Sequence, residues 1–241
     1  MNLKHILPLF LYASFLAPTA SKAQVHLQAN DPVIRYDLIH PARFHEKITV
    51  FDSAGRVTTE WLSEHVIEVD TPRQQFLFIR FTPYSVGRFV IDSCLNNSNG
   101  PVHYSLTSYP VTRTESHVFH PTSVAAHLSR RGTTRDTTVC MPKGYIDDTS
   151  IWELFGFMEL KKGVDYSLHC YGSDKLVPLL YRVVYTMDDY LPAIGGSVLH
   201  CRVIVVRYED SEWHLWIDPQ SHRTVKGIMK GKTTTLTLTL L

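Results

Sequence analysis

From residue 201 to residue 241 the chain reads CRVIVVRYEDSEWHLWIDPQSHRTVKGIMKGKTTTLTLTLL, and this text leaves little choice of fold. Its end alternates strictly. Leu236, Leu238 and Leu240 fall on one side of an extended chain, and Thr235, Thr237 and Thr239 on the other, because successive strand side chains point to opposite faces. Residues 202–208, 212–217 and 222–230 are read as three further strands. They are separated by Glu209-Asp210-Ser211, by the turn text Asp218-Pro219-Gln220-Ser221, and by Gly231 before the last strand. Four consecutive antiparallel strands are predicted. Turns so placed set Val205 against Leu215, Val203 against Ile217, and Trp213 between Arg207 and Lys226. On the other face Ile204 meets Trp216, Trp216 meets Arg223, and Arg202 meets Asp218. Both faces carry apolar bodies with charged neighbours, whereas a sheet with one solvated face shows a cleaner split. The sheet is therefore either buried on both sides or curved, with a core on one side and a ligand on the other.

The start of the chain indicates where the protein works. Lys4 and His5 precede an apolar run over residues 6–16, and Ser21-Lys22-Ala23 has the small-x-small pattern of a signal-peptidase site. The run is too short to span a bilayer as a helix, and the first cysteine is Cys94, which argues against a lipid anchor. Residues 1–23 are thus expected to be a signal peptide cleaved after Ala23. Residues 24–241 then form a single β-rich domain, periplasmic or secreted, with no membrane span. Lys and Arg number 24 against 23 Asp and Glu, and loss of Lys4 and Lys22 leaves the chain near neutrality. That balance excludes the basic excess of a nucleic-acid binder.

Four cysteines in an oxidising compartment, Cys94, Cys140, Cys170 and Cys201, allow three full pairings. Leu168-His169-Cys170 and Leu199-His200-Cys201 repeat one local text in two predicted strands. If those strands are neighbours in register, Cys170 and Cys201 share a face, and this is the favoured disulfide; the alternative is buried free thiols. A single His-Cys step cannot offer both ligands to one ion, since the two side chains point apart. With no C-x-x-C and no H-E-x-x-H, no metal or other cofactor is expected.

Upstream, residues 24–43 read as irregular, interrupted by Pro32 and Pro41. A hairpin is predicted over 46–53 and 56–62, turning at Ala54-Gly55, and a second pair over 65–70 and 76–81. Further strands are expected at 88–92, 102–109, 114–119, 164–171 and 179–186, with a loop at 96–101 and a turn at 193–197. Residues 123–131 are read as a strand, in preference to a short helix, paired with 137–141. The one clear helix is 151–160. Ser150 and Glu153 have capping-box spacing, Asp147 and Asp148 suit its positive end, and Ile151, Leu154, Phe155 and Met158 form an apolar stripe.

Asp147 and Ser150, then Leu160, Gly163 and Tyr166, then Trp216 and Asp218 form a series of short motifs across the C-terminal part of the chain. In these motifs it resembles the exported bacterial family of domain of unknown function 3108, over roughly residues 147–241. The resemblance implies a half-barrel similar to those of lipoprotein-localisation factors, in which a curved sheet and a helical lid enclose an apolar cavity. It brings no catalytic residues with it. The expected fold is mainly β: a single antiparallel, strongly curved sheet, half-barrel or open barrel, with one short helix packed on it.

No catalytic constellation is visible. Gly195-Gly196-Ser197 lacks the G-x-S-x-G arrangement, the adjacent pairs Asp147-Asp148 and Glu209-Asp210 are better explained as turn and cap residues than as a glycosidase pair, and thirteen histidines guarantee chance neighbours. Lys226, Lys230 and Lys232 share a strand face and read as a solvated edge. Two functional readings stand. One is a non-catalytic binding or carrier module for an amphiphilic or lipid-like small molecule, with Trp152, Phe155, Trp213, Leu215 and Trp216 as lining candidates; strand parity keeps Trp213 and Trp216 off the same face. The other is a structural or accessory module that holds an envelope protein.

Overall fold

The computed structural model describes residues 24–241 except 86, 193–195 and 232–233. The predicted signal peptide, most of the 193–197 turn and Lys232 lie outside the described residues. Two meanders make up the chain. The first runs β2 (Ala42–Phe51), β3 (Val57–Asp70), β4 (Gln75–Ser85), β5 (Arg88–Asn97), β6 (Gly100–Tyr109), β7 (Arg113–His120), β8 (Ser123–Arg130) and β9 (Thr133–Cys140). The second runs β11 (Asp165–Gly172), β12 (Val177–Pro192), β13 (Val198–Tyr208), β14 (Ser211–Asp218), β15 (Arg223–Lys230) and β16 (Thr235–Leu240). They are joined where β16 pairs with β2, from Thr235↔Phe51 to Leu240↔Glu46, so one large sheet results. Nearly all of it is antiparallel. The exceptions are the short strands β1 (Val25–Leu27) and β10 (Ile146–Asp147), which both run parallel to β11.

The sheet curls but does not close. β9 ends one side of the strand order and β1 the other, yet the two sides meet through side chains. Tyr171 of β11 sets its ring edge-on to His117 and Phe119 of β7, at 5.5 and 5.7 Å between centroids. Tyr145, just before β10, donates its hydroxyl to the carbonyls of His120 and Ser123 at 2.8 and 3.0 Å. Aromatic contact stands here in place of ladder hydrogen bonds. The concave side holds the main core, including Phe44, Ile67, Phe78, Leu168, Val183, Val206 and Leu215.

Strand parity survives from the sequence, but the pairings differ. Ile204 faces Leu215, Val203 faces Trp216, Arg202 faces Ile217, and Trp213 lies between Val206 and Met229. The first hairpin loop is the two residues Glu209-Asp210, with Glu209 at φ 50, one residue shorter than the expected break. Trp216 faces Lys226 because His222, at φ 57, belongs to the turn and a bulge follows Trp216. The predicted strands 56–62 and 65–70 are one continuous strand, β3, while 123–131 is a strand as read, β8.

The expected disulfide has no basis in this topology. Cys170 and Cys201 belong to β11 and β13, with β12 between them; Cys170 faces Leu179 and Cys201 faces Asp189. All four cysteines are free thiols, buried except Cys140.

The predicted helix is shorter than 151–160: one turn, α1 (Ile151–Leu154), runs into a 3₁₀ turn over Phe155–Phe157. Ser150 makes no side-chain cap and itself has helical φ/ψ. Asp147 does the capping, its Oδ2 accepting from the backbone N–H of Thr149 and Ser150 at 3.0 and 3.2 Å. This plug enters the concave side and touches the β14–β15 turn at Gly156, where an added Cβ would lie 1.8 Å from the His222 carbonyl oxygen. Arg202 secures it from below, donating to the carbonyls of Met158 and Gly156, both at 3.2 Å. Gly156→Ala is therefore expected to lower stability by about 1–3 kcal/mol, the usual cost of overpacking, read as a lower urea midpoint at unchanged slope.

Candidate functional site

A cavity of about 220 Å³ lies over the β16–β2 junction, between the sheet and α1. Its apolar floor follows from strand parity. Leu236 and Leu238 come from β16, Phe44 and Ile48 from β2, and Leu215 from β14, all at every-second-residue spacing. Gly227 of β15 sits between Leu215 and Leu238, where a Cβ would fall 3.2 and 3.3 Å from them. Its missing side chain lets the two leucines form a continuous surface. The opposite wall is aromatic. Trp152 of α1 leans on Trp213 at 4.8 Å between centroids, and Tyr208 stacks on Tyr181 at 4.6 Å.

One side of this apolar chamber is ionic. His65 of β3 lies between two carboxylates, its Nδ1 2.8 Å from Glu153 Oε1. Its Nε2 is 3.1 Å from Glu46 Oε2 but lacks hydrogen-bond alignment, so that contact is a charge pair. The ring also stacks on Phe44, 5.0 Å away and 15° from parallel. Burial alone would depress the imidazole, but Glu153 and then Glu46 outweigh it and raise its pKa to about 10. His65 is thus a cation at neutral pH and cannot serve as a base there. Arg80, its partner across β3 and β4, pairs with the buried Asp92 through Nε at 3.2 Å. The side chain of Arg80 remains 39 % exposed and lines this cavity as well as its neighbour.

That neighbour is a wider, more polar space of about 420 Å³, which shares Arg80, Trp152 and Tyr208 with the first. Ser173, Asp174 and Lys175 of the β11–β12 turn and Glu209 and Ser211 of the β13–β14 turn form its far side. Asp148 ties the β11–β12 turn down, accepting from Ser173 N and Oγ at 3.1 and 2.9 Å. Burial raises the carboxyls of both Asp147 and Asp148 above the ordinary range. In Asp147 the charge of Asp148 adds to that effect. These two residues hold the plug and the turn.

Of the five predicted lining residues, Trp152, Trp213 and Leu215 border the small cavity. Phe155 lies behind it, 1 % exposed and edge-on to Trp152. Trp216 is on the other side of the sheet, in a cluster with Cys201 and Val203, where its Nε1 donates to Asp189 at 2.7 Å and Lys226 sits over its ring at 4.7 Å. The charged members Glu46, His65, Arg80 and Glu153 were not singled out from sequence. Their signal was a polar residue at inward parity in an otherwise apolar strand, such as Arg80 two residues after Phe78. Glu153 carried the opposite signal, since Ser150-x-x-Glu153 reads as a capping box; its carboxylate faces His65 instead.

Comparison with known proteins bears on the fold alone. No family model matches the sequence, and no curated protein matches it at a significant level. Among solved structures the chain is similar to a β-barrel-like protein of domain of unknown function DUF1849 from Brucella abortus. The identity is 13 % and the TM-score 0.55, over 83 % of this chain and 95 % of that one. The likeness supports a barrel-like β architecture.

The ion triplet has a measurable consequence. Its imidazole has a higher pKa folded than the ordinary 6.5, so its stabilising effect is complete below about pH 6.5 and is lost as pH rises through about 10. His65→Gln should flatten the decline of the urea midpoint across that window. Equal slopes for both proteins would show that the triplet contributes nothing.

Proposed function

We propose that this chain is a non-catalytic binding module, exported to the envelope, that takes a small amphiphilic or lipid-like ligand into its concave side. The observation that carries the reading is the small cavity itself, with its leucine floor, its tryptophan wall, and Arg80 and His65 along one edge. Ligand sites are mostly apolar with a few convergent polar groups, and this one has that composition. The chamber is below the roughly 300 Å³ at which sites for drug-sized ligands begin. It therefore suits the apolar part of a ligand, with the more polar part in the adjoining space beyond Arg80. Trp213 Nε1 is buried in this wall beside the Tyr208 hydroxyl.

Kinship with the family of domain of unknown function 3108, and with its localisation-factor-like half-barrels, belongs to this proposal and rests on the short motifs. Several of those residues have defined structural work. Asp147 caps the plug, Tyr166 Oη accepts from Lys161 N, and Asp218 organises the β14–β15 turn through Gln220 and Ser221. A second reading, an envelope protein held by strand addition, is favoured by β9, whose outer side has no strand partner among the described residues.

Native mass spectrometry of the protein purified gently from its own envelope tests the first reading. A small adduct that leaves on denaturation is expected, and Leu238→Trp, which fills the chamber floor, should abolish it while leaving the fold intact by circular dichroism. A bare mass, together with no quenching of tryptophan fluorescence by added short-chain amphiphiles, would sink the proposal.

A further inference from the structure

Every neighbour from β11 to β16 and on through β2 to β9 is antiparallel, so alternate turns emerge at the same end of the sheet. The β4–β5, β6–β7 and β8–β9 turns therefore share a rim with the β11–β12 and β13–β14 turns, which border the wider cavity. The first three carry an unusual set of side chains. Tyr84 is 68 % exposed, Tyr109 54 % and Val111 68 %. Arg88 and Arg131 are exposed beside them, and Arg135, the third residue of β9, is exposed opposite Leu128 in a pocket that Asp174 also lines; none of the three is in an ion pair among the described residues.

Ring contacts and a backbone hydrogen bond link the parts of this arc. Tyr109 stacks on Phe89 at 4.9 Å and Phe89 packs on Phe81 at 4.8 Å, a row of rings across the outer face of β4, β5 and β6. Arg131 N donates to Thr112 O at 2.9 Å, joining the β6–β7 and β8–β9 turns. Two of the acids nearby already have arginine partners. Glu115 lies buried between Arg113 and Arg130, and Asp174 also pairs with Arg113; Asp136 is hydrogen-bonded to His127. The local surplus is cationic on a chain that is near neutral as a whole.

We infer that this rim docks on an anionic lipid surface, with Tyr84, Tyr109 and Val111 at the headgroup level and Arg88, Arg131 and Arg135 against the lipid phosphates. Tyrosine favours the membrane interface because its ring is apolar and its tip polar. Arginine beside an anionic leaflet adds a screened attraction. A protein partner would leave the exposed valine and tyrosines needing a matching apolar pocket; a bilayer interface accepts them without one. Docking in this sense turns the wider cavity toward the membrane. The inference stands on the rim and is independent of what the cavity holds.

Co-sedimentation of the folded protein with two kinds of vesicle tests it, one of phosphatidylcholine alone and one of equal parts phosphatidylcholine and phosphatidylglycerol. The expected result is binding to the anionic vesicles only, weakened by added salt. Each arginine near such a surface is worth about fivefold in partition, so Arg88→Gln, Arg131→Gln and Arg135→Gln together should lower it on the order of a hundredfold. Tyr84→Ser with Val111→Ser should weaken binding without changing its salt dependence. A matched triple, Arg73→Gln, Lys161→Gln and Arg182→Gln, removes three exposed cations outside the rim and should bind nearly as the parent does. Binding to neither vesicle, equal binding to both, or equal losses in the two triple variants would overturn the inference.

Discussion

The pairing of β16 with β2 is the contact on which the remaining architecture depends. Without it the chain would be two separate meanders, each with an apolar face and open edges. With it, the last strand in sequence lies beside the first long one, and the two sheets become one. Such a pairing spans nearly the whole chain, so its loop-closure cost is met only once both meanders exist. The inward leucines of β16 and the inward residues of β2 therefore lie at the longest-range pairing of the sheet. They also form the surface beneath the small cavity.

The concave side is not a plain hydrophobic interior, and its charges are handled in local groups. Glu115 takes Arg113 and Arg130; Asp92 takes Arg80; His65 takes Glu153 and Glu46. A buried charge stripped of its partner is costly, so each group resists change at any one member. His117, beside Glu115, behaves differently: burial lowers its imidazole to about 4, leaving it neutral. Two interior histidines thus hold opposite charge states at neutral pH. The difference lies in geometry, for Glu153 reaches His65 at 2.8 Å, whereas Glu115 stands 3.9 Å from His117 and is already engaged by two arginines.

Much of the strand content was legible because period-2 alternation is a direct property of an extended chain. The Thr-Leu repeat of β16 and the Val-rich run of β13 announced themselves, and the opposite facing of Trp213 and Trp216 followed from counting. Register was less legible, since it turns on whether a break such as Glu209-Asp210-Ser211 gives up two residues or three, and Glu209 can take the left-handed conformation that the shorter loop needs. The helix was overread because Met158 and Leu160 continue an apolar pattern that serves equally in extended chain, and the contact at Gly156 was invisible. Cys170 and Cys201 share local text, but nothing in that text reveals the strand inserted between them. The ionic edge of the site joins Glu46, His65, Arg80 and Glu153 from four elements, and no spacing along the chain encodes that meeting.

The incomplete closure of the sheet explains why a cavity exists at all. A barrel sealed by ladder hydrogen bonds fixes its own radius through strand number and stagger. Here the far sides meet through Tyr145, Tyr171 and Phe119 instead, and the plug from α1 to Phe157 has to fill the space that remains. That plug is tied at three places: by Asp147 at its start, by Arg202 beneath it, and by Glu153 to His65. The first two hold its backbone. The third holds a side chain over the β16–β2 junction and keeps Trp152 on the far side of the gap from Leu236 and Leu238. The empty volume is thus the distance between a plug fixed by polar ties and a floor fixed by strand pairing. Those two constraints come from different parts of the chain, so the width of the gap is set by neither one alone.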